Sequence, residues 1–281
     1  MKVTILGAGV MGHGIAQVAS QTAKFDVVIY ARTSAQKGLS LIKNNLEISV
    51  SKGKITKTEM KAVIGRIRPA SKLQDAVSDA DFIIEAVPEE LGTKCGLLRD
   101  IASHISSDAI VATNTSSLSI SQLACSLEHP ERFCGMHFFN PPQLMKLVEI
   151  TRGNHTSDDT VSFVSSVASK MGKEAIVLGK EVLGFVANRI VMCALNEAAD
   201  LLSKGVASKE DIDKAVMLGL NWPVGALTLI DCIGVDTVLA VLENLARDNA
   251  KFKPSMVLRR LKALDFLGKK SGEGFYNWER K

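Results

Sequence analysis

One histidine and one glutamate in consecutive apolar segments are the side chains best suited to acid–base chemistry. His137 lies near the end of the segment 135–138, and a proline pair follows shortly after it. We therefore expect a strand that ends near this histidine and then turns. The returning strand carries Glu149, which the reversal brings alongside the imidazole. A carboxylate there would fix the ring tautomer and stabilise the protonated ring, leaving the other nitrogen for proton transfer to a substrate oxygen. The residues alone equally allow a structural histidine, with Glu149 paired to Lys146 or Arg152.

A glycine-rich turn at the start of the chain predicts a dinucleotide site. The apolar segment 2–6 is typical of a buried strand and leads directly into Gly7, Gly9 and Gly12. The first glycine permits a tight turn, the second lets the backbone approach a pyrophosphate, and the third lets the following helix pack closely. The amides at the start of that helix then meet the negative charge. The alternative is a turn that is merely rich in glycine. The residues assigned to the cofactor from this turn are Gly7, Gly9, Val10, Met11 and Gly12.

The residue that follows the second apolar strand predicts which dinucleotide is bound. A chain that binds NAD normally places an acidic residue here, against the ribose 2′-hydroxyl. In this chain Ala31 is followed by Arg32, Thr33 and Ser34, which place a guanidinium beside two hydroxyls. Without a carboxylate at this position, a 2′-phosphate is not repelled. The guanidinium of Arg32 can also donate charge-assisted hydrogen bonds to that phosphate. We therefore expect NADP(H) as the preferred cofactor, with NAD(H) as the second choice. In the alternative, Arg32 is a solvated loop charge and the two cofactors are not discriminated.

These sites require a parallel sheet, because the carboxyl ends of parallel strands lie at one edge, where ligands bind. Strand-like and helix-like segments alternate along the first two thirds of the chain. This alternation predicts an α/β fold with a Rossmann-type, doubly wound, mostly parallel sheet. Asn114 and Ser116 are expected at its carboxyl edge, and Thr56 and Glu59 have the spacing of a capping box. The predicted segments are strands at 27–30, 82–86 and 110–113, a helical pair at 34–64 and a helix at 97–105.

The pattern changes to helices alone near residue 183. Apolar residues from Phe185 to Leu202 follow helical spacing, and Ser208 starts a second helix that runs to Leu218. We therefore expect two domains. A dinucleotide-binding domain with a helical arm occupies 1–182, and an all-helical domain for substrate and dimerisation occupies 183–281. The apolar helices favour burial against a second subunit, although a core alone would also explain them.

Composition excludes several classes of protein. The 281 residues are 46% hydrophobic with a formal net charge of +4, which argues against disorder and against nucleic-acid binding. Charged residues interrupt the most apolar long stretch, so no transmembrane segment is expected. Met1 leads straight into a strand without room for a signal peptide, and the 5 cysteines are scattered without a metal-binding spacing. We expect a cytoplasmic enzyme without a metal.

Six runs of the sequence carry a family resemblance, and they are Asn114–Ile120, His137–Pro141, Met145–Glu149, Gly184–Arg189, Asp231–Asp236 and Ser271–Tyr276. They resemble the 3-hydroxyacyl-CoA dehydrogenases. The resemblance covers the whole chain, and the short length without a fused hydratase is most like the bacterial 3-hydroxybutyryl-CoA dehydrogenases. The sequence departs from the family pattern at Ala31 and Arg32, and at Ala226, where proline is usual. The change at Ala226 puts only local loop geometry in doubt.

The resemblance implies a role for each matching residue. It makes His137 the proton-transferring group and Glu149 its partner, while Ser116 and Asn188 hold the 3-oxygen and the thioester region of the substrate. Ser116 as a cap residue and Asn188 as a buried hydrogen-bonding group stay open as alternatives. The remaining assignments are Glu89, Lys94, Asn140 and Lys270 on the cofactor side, joined by Asn114 from the sheet edge, and Lys52 or Lys54 at a CoA phosphate.

The resemblance also implies a reaction. It is the reversible reduction of acetoacetyl-CoA to (S)-3-hydroxybutyryl-CoA by a homodimer that binds acyl-CoA substrates. The reductant is then NADPH, as predicted from Ala31 and Arg32, and from composition we expect no membrane or nucleic acid as partner. One alternative is an NAD-dependent enzyme of broader chain length. Another is a β-hydroxyacid dehydrogenase, which would use a helical-domain lysine where this chain has Asn188 and Arg189. A third is a nucleotide-binding relative that has lost the reaction.

Overall fold

Two compact units make up the fold, Met1–Val182 and Leu183–Lys281. The computed structural model describes residues 1–279. The first unit holds every strand of the sheet, and the second is built from helices and turns. The predicted class, a Rossmann-type α/β sheet followed by an all-helical segment, is confirmed. Within residues 1–279, none of the helices is long and apolar enough to cross a membrane.

One eight-stranded sheet forms the centre of the first unit. Its strands are β1 (Lys2–Leu6), β2 (Asp26–Tyr30), β3 (Ile67–Ala70), β4 (Phe82–Glu85), β5 (Ile110–Thr113), β6 (Phe133–Phe138), β7 (Leu147–Arg152) and β8 (Glu174–Leu178). They lie in the order β3-β2-β1-β4-β5-β6-β7-β8, and only the pair β6 and β7 is antiparallel. The chain winds outward in opposite directions from β1 and β4. This is the switch point at which open α/β sheets bind ligands.

The central strands form because short apolar segments are covered on both faces. Ile5 of β1 and Ile84 of β4 have no exposed surface, and Leu46 and Val164 of the flanking helices are equally buried. Burial on both faces is what a parallel sheet requires. The helices of this unit are α1 (Val10–Gln21), α2 (Ala35–Ser51), α3 (Lys57–Gly65), α4 (Leu73–Val77), α5 (Leu91–Ala102), α6 (Ile120–Ala124) and α7 (Asp158–Lys170), with a 3₁₀ turn at Pro130–Arg132.

The capping box at the start of α3 is confirmed. The Glu59 amide donates to Thr56 Oγ1 over 3.2 Å, and the Thr56 amide donates to Glu59 Oε2 over 2.7 Å. The helix predicted at 97–105 instead occupies Leu91–Ala102. Gly92 and Gly96 interrupt the apolar spacing of its first turns, which is why the sequence places its start too late.

Several elements of the first unit are absent from the prediction, including the short helices α4 and α6 and the longer elements β3, α7 and β8. Strand β3 contains Pro69, which argues against a central strand but is tolerated in β3 because that strand lies at the sheet edge. Helix α7 and strand β8 are also additions. β8 forms the opposite edge, where Ile176 and Val177 are exposed, so its residues lack the regular alternation that marks a half-buried strand.

Helices of the second unit pack around a core of their own. Leu195, Ile230 and Leu242 have no exposed surface there. The first helix begins at Ala187 rather than at Phe185, because Phe185 has a φ of +50° and so lies outside the right-handed helical region. The helices are α8 (Ala187–Ser203), α9 (Lys209–Gly219), α10 (Ala226–Ile233), α11 (Val235–Asp248) and α12 (Met256–Ala263), with a 3₁₀ turn at Ala250–Phe252.

Two helix starts in this unit have clear capping residues. Ser208 Oγ accepts from the Asp211 amide over 3.1 Å, which confirms the predicted start of α9. Ala226 is the first residue of α10, a position where proline is favoured because its missing amide hydrogen would have no helical partner. The carboxylate of Asp213 caps this helix by accepting from the Leu227 amide over 2.7 Å. The helix start is therefore formed without the proline.

Candidate active site

The carboxyl edge of the sheet collects the residues that the sequence assigns to chemistry. Strands β2, β1, β4, β5 and β6 are parallel neighbours, so the residues at their ends lie along one edge. The assigned positions are Ala31 after β2, Gly7 after β1, Asn114 after β5 and His137 near the end of β6, and Ala86 follows β4 at the same edge.

His137 and Glu149 face each other across β6 and β7, the antiparallel pair of the eight-stranded sheet. They are partners in the register of β6 and β7, and His137 Nδ1 lies 2.8 Å from Glu149 Oε2. His137 is 5% exposed and Glu149 is fully buried. The predicted juxtaposition of His137 and Glu149 is confirmed. Arg152, which the sequence offers as another partner of Glu149, forms an ion pair with Asp158 at 2.7 Å.

This geometry assigns different tasks to the two ring nitrogens. A carboxylate only accepts hydrogen bonds, so the bond to Glu149 places a proton on Nδ1 of His137. Nε2 is then the nitrogen able to exchange a proton with a ligand. The ring of Phe139 stands edge-on to the imidazole, with 4.6 Å between ring centroids. Contact with an aromatic ring and a buried carboxylate restricts the orientation of the imidazole.

The glycine turn has the close contacts that its predicted function requires. Gly7 has a φ of +122°, and a side chain there would overlap the carbonyl oxygen of Ala86. A side chain at Gly12 would overlap the carbonyl oxygen of Gly7. Around Gly9, in contrast, a Cβ would meet no atom of the protein within 4 Å. Packing therefore explains two of the glycines, while the third leaves open space for a ligand at the start of α1.

A cleft of about 790 Å³ opens beside this turn. The turn residues 7–11 form one wall and Ala86–Pro88 form another, while the β2–α2 connection supplies Arg32, Thr33 and Ser34. Lys37 and Leu41 of α2 complete that side. Arg32, Thr33 and Ser34 line the cleft and Ala31 does not, so the predicted contact of Arg32 and Thr33 with a cofactor stays a prediction. The wall 86–88 was not assigned to the cofactor from the sequence.

Glu89 gathers the polar residues that follow β5. Its Oε1 accepts from Thr115 Oγ1 over 2.6 Å, from the Ser116 amide over 2.8 Å and from the Ser117 amide over 2.9 Å. Ser116 Oγ is 3.2 Å from the same oxygen. Burial raises the pKa of Glu89, but the Lys94 charge and these hydrogen bonds outweigh burial and lower the pKa below its ordinary value. Glu89 thereby fixes the loop that carries Ser116.

Glu89→Gln is expected to weaken the dependence of stability on acid pH. Because the folded pKa of Glu89 is lowered, its stabilising effect is fully present above the ordinary value of about 4.3 and is lost as the pH falls through the folded value. Glutamine does not titrate, so the free energy of unfolding should change less on acidification in the variant. Urea titrations at a series of pH values, from neutral down through the pKa of Glu89, measure this pH dependence of the free energy of unfolding. Glu90→Gln, at the exposed neighbouring position, is the control. Identical pH profiles for Glu89→Gln and the unchanged protein would contradict the expectation.

A buried ion pair lies beneath the same loops. The ammonium of Lys94 is 2.8 Å from Glu85 Oε1 and 3.4 Å from Glu89 Oε2, and its side chain is 1% exposed. Glu85 also accepts from Thr113 Oγ1 over 2.6 Å and from the Val87 amide over 2.7 Å. Through these contacts Lys94 fixes the position of Glu89 and of the cleft wall 86–88. Its predicted contact with a cofactor stays a prediction. Sequence reasoning missed Glu85, whose signal is a carboxylate inside an apolar strand.

Lys94→Met is expected to destabilise the protein by about 3–5 kcal/mol, because it leaves the buried carboxylate of Glu85 without its cation. Urea unfolding monitored by circular dichroism measures the loss. The control is Lys43→Met, since Lys43 forms an exposed pair with Glu47 and should change stability by less than about 1 kcal/mol. Adding Glu85→Gln to Lys94→Met should recover part of the loss. A loss no larger than that of the control would show that the pair is not a buried anchor.

The loop after β5 is also held at its far end and against β6. Glu181 accepts hydrogen bonds from the Ile120 amide and, over 2.6 Å, from Ser121 Oγ. Asn114 Oδ1 accepts from the Phe138 amide over 2.8 Å, so it ties the end of β5 to the strand that carries His137. Asn140, predicted on the cofactor side, is exposed at the start of the following turn. Asn114 therefore has a clear structural role here, and its predicted cofactor contact stays a prediction.

Lys52 and Lys54 lie in the turn between α2 and α3. Both side chains are exposed, as the predicted contact with a CoA phosphate requires. The groove of about 420 Å³ between these helices is lined instead by other residues, among them Ser51, Lys57 and Lys61. The structure therefore does not select either of the two lysines predicted at a CoA phosphate, and the lysines that line this groove are Lys57 and Lys61.

The remaining predicted residues belong to the second unit. Asn188 lies in the first turn of α8 and is half-buried. Its neighbour Arg189 is fixed by Asp248 at 3.2 Å. Lys270 bonds to Asp236 Oδ2 over 2.6 Å and, despite the opposing effect of burial, this contact helps to lower the pKa of Asp236. The predicted roles of Asn188 toward substrate and of Lys270 toward cofactor stay predictions.

Comparison with known protein families assigns both units. Residues 2–182 match the family described as 3-hydroxyacyl-CoA dehydrogenase, NAD binding domain. Residues 184–278 match the family described as 3-hydroxyacyl-CoA dehydrogenase, C-terminal domain. A probable 3-hydroxybutyryl-CoA dehydrogenase from Deinococcus radiodurans is 43% identical over 282 residues, which cover 99% of this chain and 100% of that protein. A 3-hydroxybutyryl-CoA dehydrogenase from Bradyrhizobium diazoefficiens is 38% identical, covering 99% of this chain and 95% of the other.

Solved structures agree with these sequence matches. The crystal structure of (S)-3-hydroxybutyryl-CoA dehydrogenase from Ralstonia eutropha superposes with a TM-score of 0.94 at 39% identity, covering 99% of this chain and 98% of that chain. Both the Rossmann-type sheet and the helical segment of this chain therefore have counterparts in a related protein of known structure.

Proposed function

Because this chain belongs to the 3-hydroxyacyl-CoA dehydrogenase family of oxidoreductases, we propose that it interconverts acetoacetyl-CoA and (S)-3-hydroxybutyryl-CoA. The names of its relatives support the short acyl chain. The observation that carries the proposal is the buried pair of His137 and Glu149. Oxidation of a hydroxyl at carbon requires a group that takes its proton, and the reverse reaction requires the same group to return it.

The proposed mechanism in the reductive direction depends on proton transfer by His137. A reduced nicotinamide, when bound, supplies the hydride for C3 of the substrate. His137 donates a proton to the C3 oxygen as the alkoxide forms, and Glu149 stabilises the ring before the transfer while keeping Nδ1 protonated after it. Ser116, on the loop fixed by Glu89, orients the C3 oxygen, and Asn188 holds the thioester region. A positioned general acid contributes a factor of about 10² to 10⁴.

We further propose NADP(H) as the preferred cofactor. The glycine turn fits a dinucleotide, because Gly9 leaves open space where a pyrophosphate must approach the backbone. Arg32 and Thr33 line the same cleft. Among the residues that the structure describes along this cleft there is no carboxylate to accept from a ribose 2′-hydroxyl. A cleft whose charged lining residues are cationic favours a ribose 2′-phosphate over a 2′-hydroxyl.

We propose that the protein is a homodimer that works in the cytoplasm. Exposed apolar side chains on the second unit support self-association, among them Leu218 at 75% exposure and Leu220 at 65%. All 5 cysteines are free thiols, which suits a reducing compartment. Sedimentation equilibrium tests the dimer, and a monomer at micromolar concentration would contradict it.

An absorbance assay tests the proposed reaction. Addition of acetoacetyl-CoA to protein and NADPH should consume the reduced nicotinamide, and the product should be the S enantiomer. A parallel series with longer 3-oxoacyl-CoA thioesters measures the dependence on chain length. Faster turnover of a longer thioester would replace the proposed substrate with a broader one. Oxidation of a free hydroxy acid without turnover of any thioester would overturn the proposal, as would a folded protein that binds NADPH and turns over nothing.

A further inference from the structure

We propose that Lys37 is a second specificity-determining residue of the cofactor cleft, which receives the 2′-phosphate of an NADP-type dinucleotide together with Arg32. The inference rests on the proposed preference for NADP(H). It adds a residue from the first turn of α2, beyond the β2–α2 connection from which the preference was predicted.

The first turn of α2 is held against the dinucleotide turn by a close contact. A Cβ on Gly38 would lie 2.9 Å from the Cβ of Ala8, which is too close for two carbon atoms. The backbone of α2 therefore approaches the glycine turn at a distance that only a glycine allows. Lys37, the preceding residue, lines the same cleft as Gly7, Gly9 and Arg32. Packing at Gly38 thus fixes where the Lys37 backbone stands relative to the dinucleotide turn.

Ser34 adds a hydroxyl group to this end of the cleft. Its Oγ accepts from the Lys37 amide over 3.2 Å and caps α2. Because that bond uses a lone pair of the oxygen, the hydroxyl hydrogen is available to donate. Arg32, Thr33 and Ser34 therefore supply donor groups, and together with Lys37 they line the same cleft.

The charge of this end matches a phosphate monoester. Within residues 1–279, the side chains of Arg32 and Lys37 form no ion pair. Lys43, further along the same helix, is by contrast paired with Glu47 at 3.9 Å. A phosphate monoester carries about −1.5 to −2 charges near neutral pH. One guanidinium and one ammonium without a neighbouring carboxylate neutralise that charge.

Calorimetric binding of two adenosine fragments separates recognition of the 2′-phosphate from recognition of the rest of the cofactor. The probes are adenosine 2′,5′-bisphosphate and adenosine 5′-monophosphate, which differ only in the 2′-phosphate. Lys37→Gln should weaken binding of the bisphosphate by about 10- to 100-fold, the range of one charge-assisted hydrogen bond. Binding of the monophosphate should be unchanged, which also shows that the variant is folded. Lys43→Gln is the matched control on α2 and should alter neither, while Lys37→Arg should retain tight binding of the bisphosphate.

The outcomes distinguish this inference from the proposal on which it rests. If the unchanged protein binds the bisphosphate no more tightly than the monophosphate, the preference for NADP(H) is wrong and the role of Lys37 falls with it. If the unchanged protein prefers the bisphosphate but Lys37→Gln retains that preference, only the role of Lys37 is overturned. An equal loss for both fragments also overturns it, because Lys37 would then act on the shape of the cleft rather than on the 2′-phosphate.

Discussion

His137→Gln should lower kcat for acetoacetyl-CoA reduction by about 10² to 10⁴ while leaving the affinity for NADPH unchanged. Glutamine fills a similar volume but cannot deliver a proton to the forming alkoxide. The proposed cofactor cleft around the glycine turn is lined by other residues of the first unit, so cofactor binding there should not depend on the imidazole. Steady-state kinetics gives kcat, and a fluorescence titration with NADPH gives the dissociation constant.

Two variants make this result specific to the paired histidine. His129→Gln alters an exposed histidine of the same unit, which contacts Glu131, and should leave kcat unchanged. Glu149→Gln keeps the size of the buried partner but lets an amide donate to Nδ1, which permits the wrong ring tautomer. It should therefore lower kcat without weakening NADPH binding. A folded His137→Gln variant with the original kcat would remove the chemical basis of the proposed reaction.

The pairing of His137 with Glu149 was predictable because it depends on local structure. β6 and β7 follow each other in the chain and are joined by a turn that contains the proline pair, so the sequence fixes their antiparallel contact without knowledge of the rest of the sheet. The glycine turn is predictable for the same reason, since strand, turn and helix are contiguous. Both are short-range arrangements in which spacing determines geometry.

The network beneath the cleft was not predictable in the same way. Glu85 meets Thr113 because β4 and β5 are neighbours in the sheet, and it meets Lys94 because α5 begins shortly after β4. Those contacts require the strand order and the start of α5, and the sequence placed that start too late. A carboxylate among apolar residues signalled that a buried partner was needed, but not which residue supplies it.

The side of the cleft formed by α2 lies between these two cases. The residues after β2 are contiguous with the strand, so the sequence placed Arg32 and Thr33 on the cofactor. Lys37 reaches the same cleft only because Gly38 lets α2 pack on Ala8, a contact between residues far apart in the chain. Sequence reasoning therefore predicted the sign of the charge at this end of the cleft but not the number of cations that line it. The proposed preference for NADP(H) depends on both.

Ala31→Asp should move the cofactor preference toward NADH by about 10²-fold in the ratio of kcat/KM values, because like charges in a cleft cost several kcal/mol. The position directly follows Tyr30, whose carbonyl oxygen accepts from the Gly7 amide over 2.8 Å, so a carboxylate there stands beside the dinucleotide turn. It would repel a 2′-phosphate and accept from a 2′-hydroxyl. Steady-state kinetics with both cofactors at fixed acetoacetyl-CoA measures the ratio. Ala31→Asn is the control of equal size without charge and should shift the ratio far less. A preference for NADPH that is retained or increased in Ala31→Asp would mean that the end of β2 does not contact the ribose.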